Sequence, residues 1–154
     1  MKIAIGSDER THLTDTVIKE VKNCGHDVIL YGPLIDKEEY WPRVAQQVAE
    51  SVAAGSVSEG ILFCWTGTGV SLAANKVPGI RAALCGDAET ARGARLWNDA
   101  NVLCLSLRCT SEEVAKEILE AWFGTQYKPN DIDDKCLGQL QEIETKYKKA
   151  ISPS

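Results

Sequence analysis

A chain of 154 residues, 44% hydrophobic and 25% charged, is long enough to bury one full core and short for two. Its formal net charge of -5 argues against nucleic acid or an anionic membrane as the main partner, since both reward a basic surface. The opening "MKIAIGSDE" turns charged too early for a signal peptide, and no apolar run approaches the roughly 20 residues that span a bilayer, so a cytoplasmic protein is expected.

"KIAIGS" (Lys2 to Ser7) reads as the first strand. In "THLTDTVIKEVKNCG" Leu13, Val17, Ile18 and Val21 share one helical face, and Gly25 supplies the stop. "HDVILYG" is the second strand. "KEEYWPRVAQQVAESVAAG" is the next helix, with Pro42 confined to an early turn because it has no N–H to donate. "GILFC", "IRAALC" and "NVLCLS" are the remaining strands, with the helix "DAETARGARLW" before the last of them. "SEEVAKEILEAWF" packs Val114, Ile118, Leu119 and Trp122, and a polar helix runs from about Asp133 to Lys149.

Near-continuous apolar strands alternating with helices imply a three-layer α/β/α sandwich around a central five-stranded parallel sheet, Rossmann-like in plan. One domain is expected over residues 1–150, with 151–154, "ISPS", as a loose tail. Ligands of such sheets bind at the carboxyl ends of the strands. That edge is expected to hold Asp8, Glu9, the 64–71 loop, Gly86, Asp87, Leu107 and Arg108.

The most informative stretch is "ILFCWTGTGVSLAANK", Ile61 to Lys76. Gly67 and Gly69 permit a tight turn, and the N–H groups opening the next helix then form an anion hole above the strand end. As a nucleotide motif the loop fails, because Leu72 stands where a third glycine is needed and no Walker lysine is present. A plain tight turn is the simpler alternative. Cys64 sits at the mouth of this loop, where a helix N-terminus can lower a thiol from about 8.5 toward neutrality and yield a thiolate able to take a proton or attack carbon. Its plain alternative is a buried strand-end cysteine. Asp8 and Glu9 are candidate acid and base groups beside Cys64 and Thr66, or else a solvated turn or helix N-cap. The six cysteines show no CxxC pair or zinc spacing and are expected to be mostly reduced core residues. With only His12 and His26 present, a histidine-based hydrolase is poorly supported.

Taken together, "MKIAIGSD", "GILFCWTGTGVSLAANKVPGIRAALC", "TARGARLWNDANVLCLSLR" and "AKEILEAWF" resemble the type B ribose-5-phosphate isomerases and their galactose-6-phosphate isomerase relatives, over about residues 1–125. The resemblance implies interconversion of aldose and ketose phosphates through a cis-enediolate, without metal or cofactor, by a homodimer or homotetramer. It implies Cys64 as the base between C1 and C2 and Thr66 as the hydroxyl that passes a proton between O1 and O2. The N–H groups of Gly67, Thr68, Gly69 and Ser71 become the oxyanion hole, and Asp8, Asn98 and Arg108 contact sugar and phosphate.

Departures from the family pattern matter equally. Trp65 stands where the family has glycine, Glu9 where it has histidine, and Trp97 where it has a ring-opening histidine. "YKPNDIDDKCL" replaces its phosphate-clamping segment. Three readings compete. The substrate is a short sugar phosphate that cannot close a five-membered ring, with Trp65 and Trp97 shrinking the pocket. Alternatively it is an unphosphorylated sugar with Glu9 on a hydroxyl, a choice favoured by the repulsion between Glu9 and a phosphate unless Arg10, Lys128 or Lys135 compensates. In the third, the protein binds sugars without turnover. Trp65 and Trp97 have a plain reading as core or interface aromatics, and Arg108 as a surface ion-pair residue. Retention of Cys64, Thr66 and both loop glycines favours an active enzyme over a binding protein, and the expected activity is aldose-ketose isomerisation of a small sugar or sugar phosphate, of the pentose or tetrose phosphate class.

Overall fold

In the computed structural model, which describes residues 1–149, the five apolar runs form one parallel sheet in the order β2-β1-β3-β5-β4. Its strands are β1 (Lys2–Ser7), β2 (Asp27–Tyr31), β3 (Glu59–Cys64), β4 (Ala82–Leu84) and β5 (Val102–Ser106). The tail expected at 151–154 lies outside the described residues. β1, β3 and β5 sit centrally with Ile5 opposite Ile61 and Ile61 opposite Leu103, and being covered on both faces they read as unbroken apolar runs.

Helices α1 (His12–Asn23), α4 (Ala88–Asn98) and α5 (Glu112–Gly124) cover one face, and α2 (Trp41–Ala53) and α3 (Thr68–Ala74) the other. α6 (Asp131–Lys149) packs against α4. No helix among the described residues is long and apolar enough to cross a membrane. On the α2 face the sheet is bare at Gly60, where a Cβ would stand 2.6 Å from Val48 Cγ1, and this lets the helix approach closely.

Several boundaries differ from the sequence reading for local reasons. Thr11 caps α1 in a reciprocal capping box with Thr14, so Asp8 and Glu9 are not its N-cap. α2 starts at Trp41 with Pro42 in its first turn, and residues 37–40 stay outside it. A 3-10 turn at Gly32–Ile35 went unforeseen, because four residues carry no periodicity. β4 is only three residues long: Ile80 turns into the core, and Arg81 is engaged with the loop ahead of β5.

Near the amino end of β3 lies a buried ionic cluster. Glu59 forms an ion pair with Arg95, Nη2 to Oε1 at 2.7 Å, and accepts from the Trp122 indole N–H at 2.7 Å, and the guanidinium stands 5.0 Å from the Trp122 ring centre. Every charge there is paired, as burial demands.

All six cysteines are free, but only Cys64, Cys85 and Cys104 are buried; Cys24, Cys109 and Cys136 are exposed, which corrects the expectation that most are core residues. Burial pushes the Cys85 thiol up to about 12, with the Asp87 carboxylate adding to the effect. Burial likewise raises Cys104, helped by Cys85 and Cys64 and opposed by a hydrogen bond with Ser71. A chromogenic disulfide reagent at pH 8 is therefore expected to titrate the exposed thiols quickly, and Cys85 and Cys104 only in denaturant. Rapid native labelling of Cys85, located by peptide mapping, would contradict this packing.

Candidate functional site

The sheet order creates a crevice at its carboxyl edge. β1 leads into α1 on one face and its neighbour β3 into α3 on the other, so the two exit loops diverge and leave space above the strands. Asp8 leaves β1 on one side of that space, and Cys64 ends β3 on the other.

Cys64 points toward the α2–α3 face among Val44, Ala45, Val70 and Cys104, with 5% of its surface exposed. The chain beyond it is stitched to the exit of β5. Leu107 N–H donates to Cys64 O at 3.0 Å, Arg108 N–H to Trp65 O at 2.9 Å, and the Ser106 hydroxyl to Trp65 O at 3.0 Å. The backbone that carries Cys64 and Trp65 is thereby held to the backbone that carries Arg108.

Gly67 then turns the chain into α3 with φ +76, in the left-handed region. No side chain caps this helix, which leaves the N–H groups from Thr68 to Val70 without intrahelical or capping partners. The hydroxyls of Thr66 and Thr68 share a hydrogen bond of 2.8 Å at this corner. A Cβ at Gly67 would stand 2.5 Å from Leu84 Cδ1 and 3.0 Å from the Leu105 carbonyl. Gly67→Ala is expected to cost about 2–3 kcal/mol, from left-handed strain and this collision together. Urea denaturation checks it; an unchanged midpoint would mean that the turn tolerates a side chain.

Ser71, expected among the substrate contacts, is otherwise engaged. Its N–H donates to Gly67 O at 3.3 Å, the first backbone bond of α3, and is therefore not free for a ligand. Gly69 lies against the Trp41 ring, which a Cβ there would approach to 3.1 Å. Trp41 was not foreseen at this edge. Its only sequence signal is its place directly before Pro42, at a helix start that must follow the end of β2.

Burial raises the Asp8 carboxyl above its ordinary value, against its own backbone N–H, with Glu9 adding to the rise. The Ser7 hydroxyl donates to Glu9 O at 2.6 Å and accepts from Glu9 N–H at 3.2 Å, a turn that leaves the Glu9 side chain exposed. Arg10 is paired with Asp15 at 2.9 Å. Asp87 caps α4 by accepting from Thr90 N–H at 2.7 Å, and this bond holds its carboxyl below the usual range. Arg108 is exposed and pairs with no carboxylate among the described residues. His12 is exposed and paired with Glu112.

Trp97 and Asn98 are not in this crevice. α4 runs from the carboxyl edge back to the amino edge, so its last residues sit beside the start of β5, whose own length at about 3.3 Å per residue separates them from Cys64. One chain does not bring them together, contrary to the shared pocket expected from sequence. Trp97 folds back over Gly93 and is 58% exposed, and Trp65 is 57% exposed, so neither belongs to the core. Trp97, Asn98 and Arg81 line a groove of about 1000 Å³ closed on its far side by Leu140 and Ile143 of α6. Lys128 and Lys135 flank Tyr127 and Asp134, on the Asp99 side of the molecule, and do not offset Glu9 within one chain.

A buried thiol, free helical N–H groups, a threonine hydroxyl and a half-buried carboxyl around one crevice suit proton transfer next to a carbonyl, with the N–H groups stabilising the developing oxyanion. Among the described residues, no group of three or more His, Cys, Asp or Glu is placed to hold a metal ion.

A family model described as Ribose/Galactose Isomerase matches residues 3–138. Ribose-5-phosphate isomerase B of Escherichia coli (strain K12) is 41% identical over 128 residues, covering 82% of this chain and 86% of the relative. The D-erythrulose-4-phosphate isomerase of Pectobacterium atrosepticum is 38% identical over 131 residues, covering 83% and 86%. Among solved structures, ribose-5-phosphate isomerase B of Clostridium thermocellum superposes with a TM-score of 0.89 at 38% identity, covering 96% of this chain and 99% of the other.

Proposed function

This chain belongs to the ribose/galactose isomerase family, and we propose that it isomerises a four-carbon sugar phosphate in a homodimer whose sites draw on both copies. The chain is an aldose-ketose isomerase of the sugar-phosphate class; its substrate length, its base and its assembly are inferred from the site.

The carrying observation is the exposed Trp65 indole directly after the buried Cys64 thiol; in this reading the indole takes up room that a longer sugar would need. A tetrose with phosphate on its terminal oxygen cannot close a five-membered ring and needs no residue to open one. That fits a chain whose residue at the family's ring-opening position is Trp97 and whose His12 is tied to Glu112. One relative is named for a substrate of this length.

The Cys64 thiolate takes the proton from C2 of the aldose, and the pair of electrons left behind forms the cis-enediolate. N–H groups of Thr68 and Gly69 hold the oxyanion, Thr66 passes the proton between O1 and O2, and Cys64 returns its proton to C1. Asp8 accepts from a sugar hydroxyl. Arg108, which has no carboxylate partner among the described residues, takes the phosphate, and the exposed Glu9 is screened by water.

Trp97 and Asn98, exposed at the opposite edge, support the homodimer: a second copy can bring them to the crevice that their own chain cannot. Six unpaired thiols suit a reducing compartment such as the cytoplasm. The test is proton NMR in deuterated water on tetrose, pentose and hexose phosphates and their free sugars. Exchange at C1 or C2 is expected to be fastest, by at least about tenfold in kcat/KM, with a tetrose 4-phosphate. Preference for a pentose phosphate would overturn the substrate length, and silence from folded protein across the panel would favour a binding protein without turnover.

A further inference from the structure

We propose that Arg81 is a positioning residue that acts across the dimer, by aiming the turn that carries Trp97 and Asn98 into the site of the second copy. The proposal rests on the shared-site reading above. Arg81 Nε donates to Asp99 O at 2.7 Å and Nη2 to Asp99 Oδ2 at 3.1 Å, so one guanidinium grips both the backbone and the side chain of the residue after Asn98. Asp99 has φ 44 and ψ 44, a left-handed conformation that aspartate enters more easily than most residues but still at some cost, which the Arg81 grip helps to offset.

Arg81 is itself fixed from two sides. Its N–H donates to Asn101 Oδ1 at 2.8 Å, and the Asn101 amide donates to Gly79 O at 2.9 Å. On its other flank the Asn75 amide donates to Ala82 O at 2.9 Å and accepts from Ala82 N–H at 2.8 Å, pairing the edge strand as another strand would. The segments 75–82 and 97–101 are therefore one interlocked unit.

Holding α4 in place does not require this grip. Arg95 already ties the helix end to Ala100 O at 2.6 Å and to buried Glu59 at 2.7 Å. What Arg81 adds is the direction of the turn. Arg81 sits at the amino edge, a strand's length from the Cys64 of its own chain, so its effect on catalysis must reach the other copy's crevice.

Arg81→Met should keep its circular dichroism and dimerise, and lose at least about tenfold in kcat/KM, with Arg81→Lys intermediate because an ammonium cannot grip two oxygens as a fork. The decisive measurement mixes chains. Arg81→Met and Cys64→Ser carry different affinity tags and are co-expressed, and the doubly tagged dimer is isolated. Each variant alone has two defective sites, whereas the mixed dimer has one site with both defects and one with none, so about half of wild-type activity is expected to return. A control pair, Asn98→Ala with Cys64→Ser, separates the two claims. Recovery in the control but not with Arg81→Met would overturn the role of Arg81 and leave the shared site standing. Recovery in neither, or no doubly tagged dimer, would overturn the shared site and the proposal with it. Full activity in Arg81→Met alone would also overturn the proposal. Should Arg81→Met fail to fold, Arg81→Lys takes its place in the same pairing, with the same outcomes.

Discussion

Replacing Cys64 with serine is expected to lower kcat by on the order of a thousandfold or more while the protein still folds. A hydroxyl does not ionise near neutral pH, so the base proposed for the C2 proton is gone, while the loop N–H groups proposed to hold the oxyanion belong to the backbone and survive. The side chain is 5% exposed and belongs to the buried apolar cluster on the α2–α3 face, so the smaller, more polar serine loses some packing, at a cost of about 1 kcal/mol. KM should change little, because the thiol contributes to the transition state more than to binding. Solvent exchange at the sugar carbon, followed by proton NMR beside a circular dichroism spectrum, checks both halves. Near-normal exchange in the serine variant would remove Cys64 as the base and direct attention to the half-buried Asp8.

Glu59→Ala is expected to be the most damaging substitution for stability, at about 3–5 kcal/mol. The carboxylate is 6% exposed, and its two oxygens answer two donors, the Arg95 guanidinium and the Trp122 indole, each at 2.7 Å. Removing it leaves an unpaired buried cation and an unpaired N–H, and costs the desolvation of both without returning any bond. Glu59→Gln keeps one acceptor for the indole and should lose less, about 2 kcal/mol. Urea midpoints of the two variants rank them; an alanine loss below about 1 kcal/mol would show that water reaches the cavity and solvates Arg95. Since Arg95 also holds Ala100, activity in Glu59→Gln should fall further than its stability suggests.

Much of the sheet edge was readable because it depends on local chemistry. A strand ending in cysteine, followed by Gly67 at a forced left-handed turn, places a thiol beside uncapped N–H groups in any chain that folds locally this way. Asp8 and Arg108 follow from strand ends in the same fashion. Trp41 was missed because its neighbour Gly69 is distant in sequence and only the packing of α2 on α3 brings them together. Glu59 was missed for a similar reason: a charge at a strand start looks solvated until Arg95 and Trp122 close over it.

By itself, then, the sequence determined the layered parallel sheet, the cysteine-glycine loop at its carboxyl edge to which the chemistry is assigned, and the family likeness, because apolar periodicity, glycine placement and short motifs are properties of neighbouring residues. Tertiary structure alone decided the sheet order, the crevice between β1 and β3, the buried cluster at Glu59, and the separation of Trp97 and Asn98 from Cys64. The physical reason lies in direction. A helix between parallel strands must carry the chain back across the sheet, so its two ends serve opposite edges, and no spacing along the chain records which edge a given side chain will face.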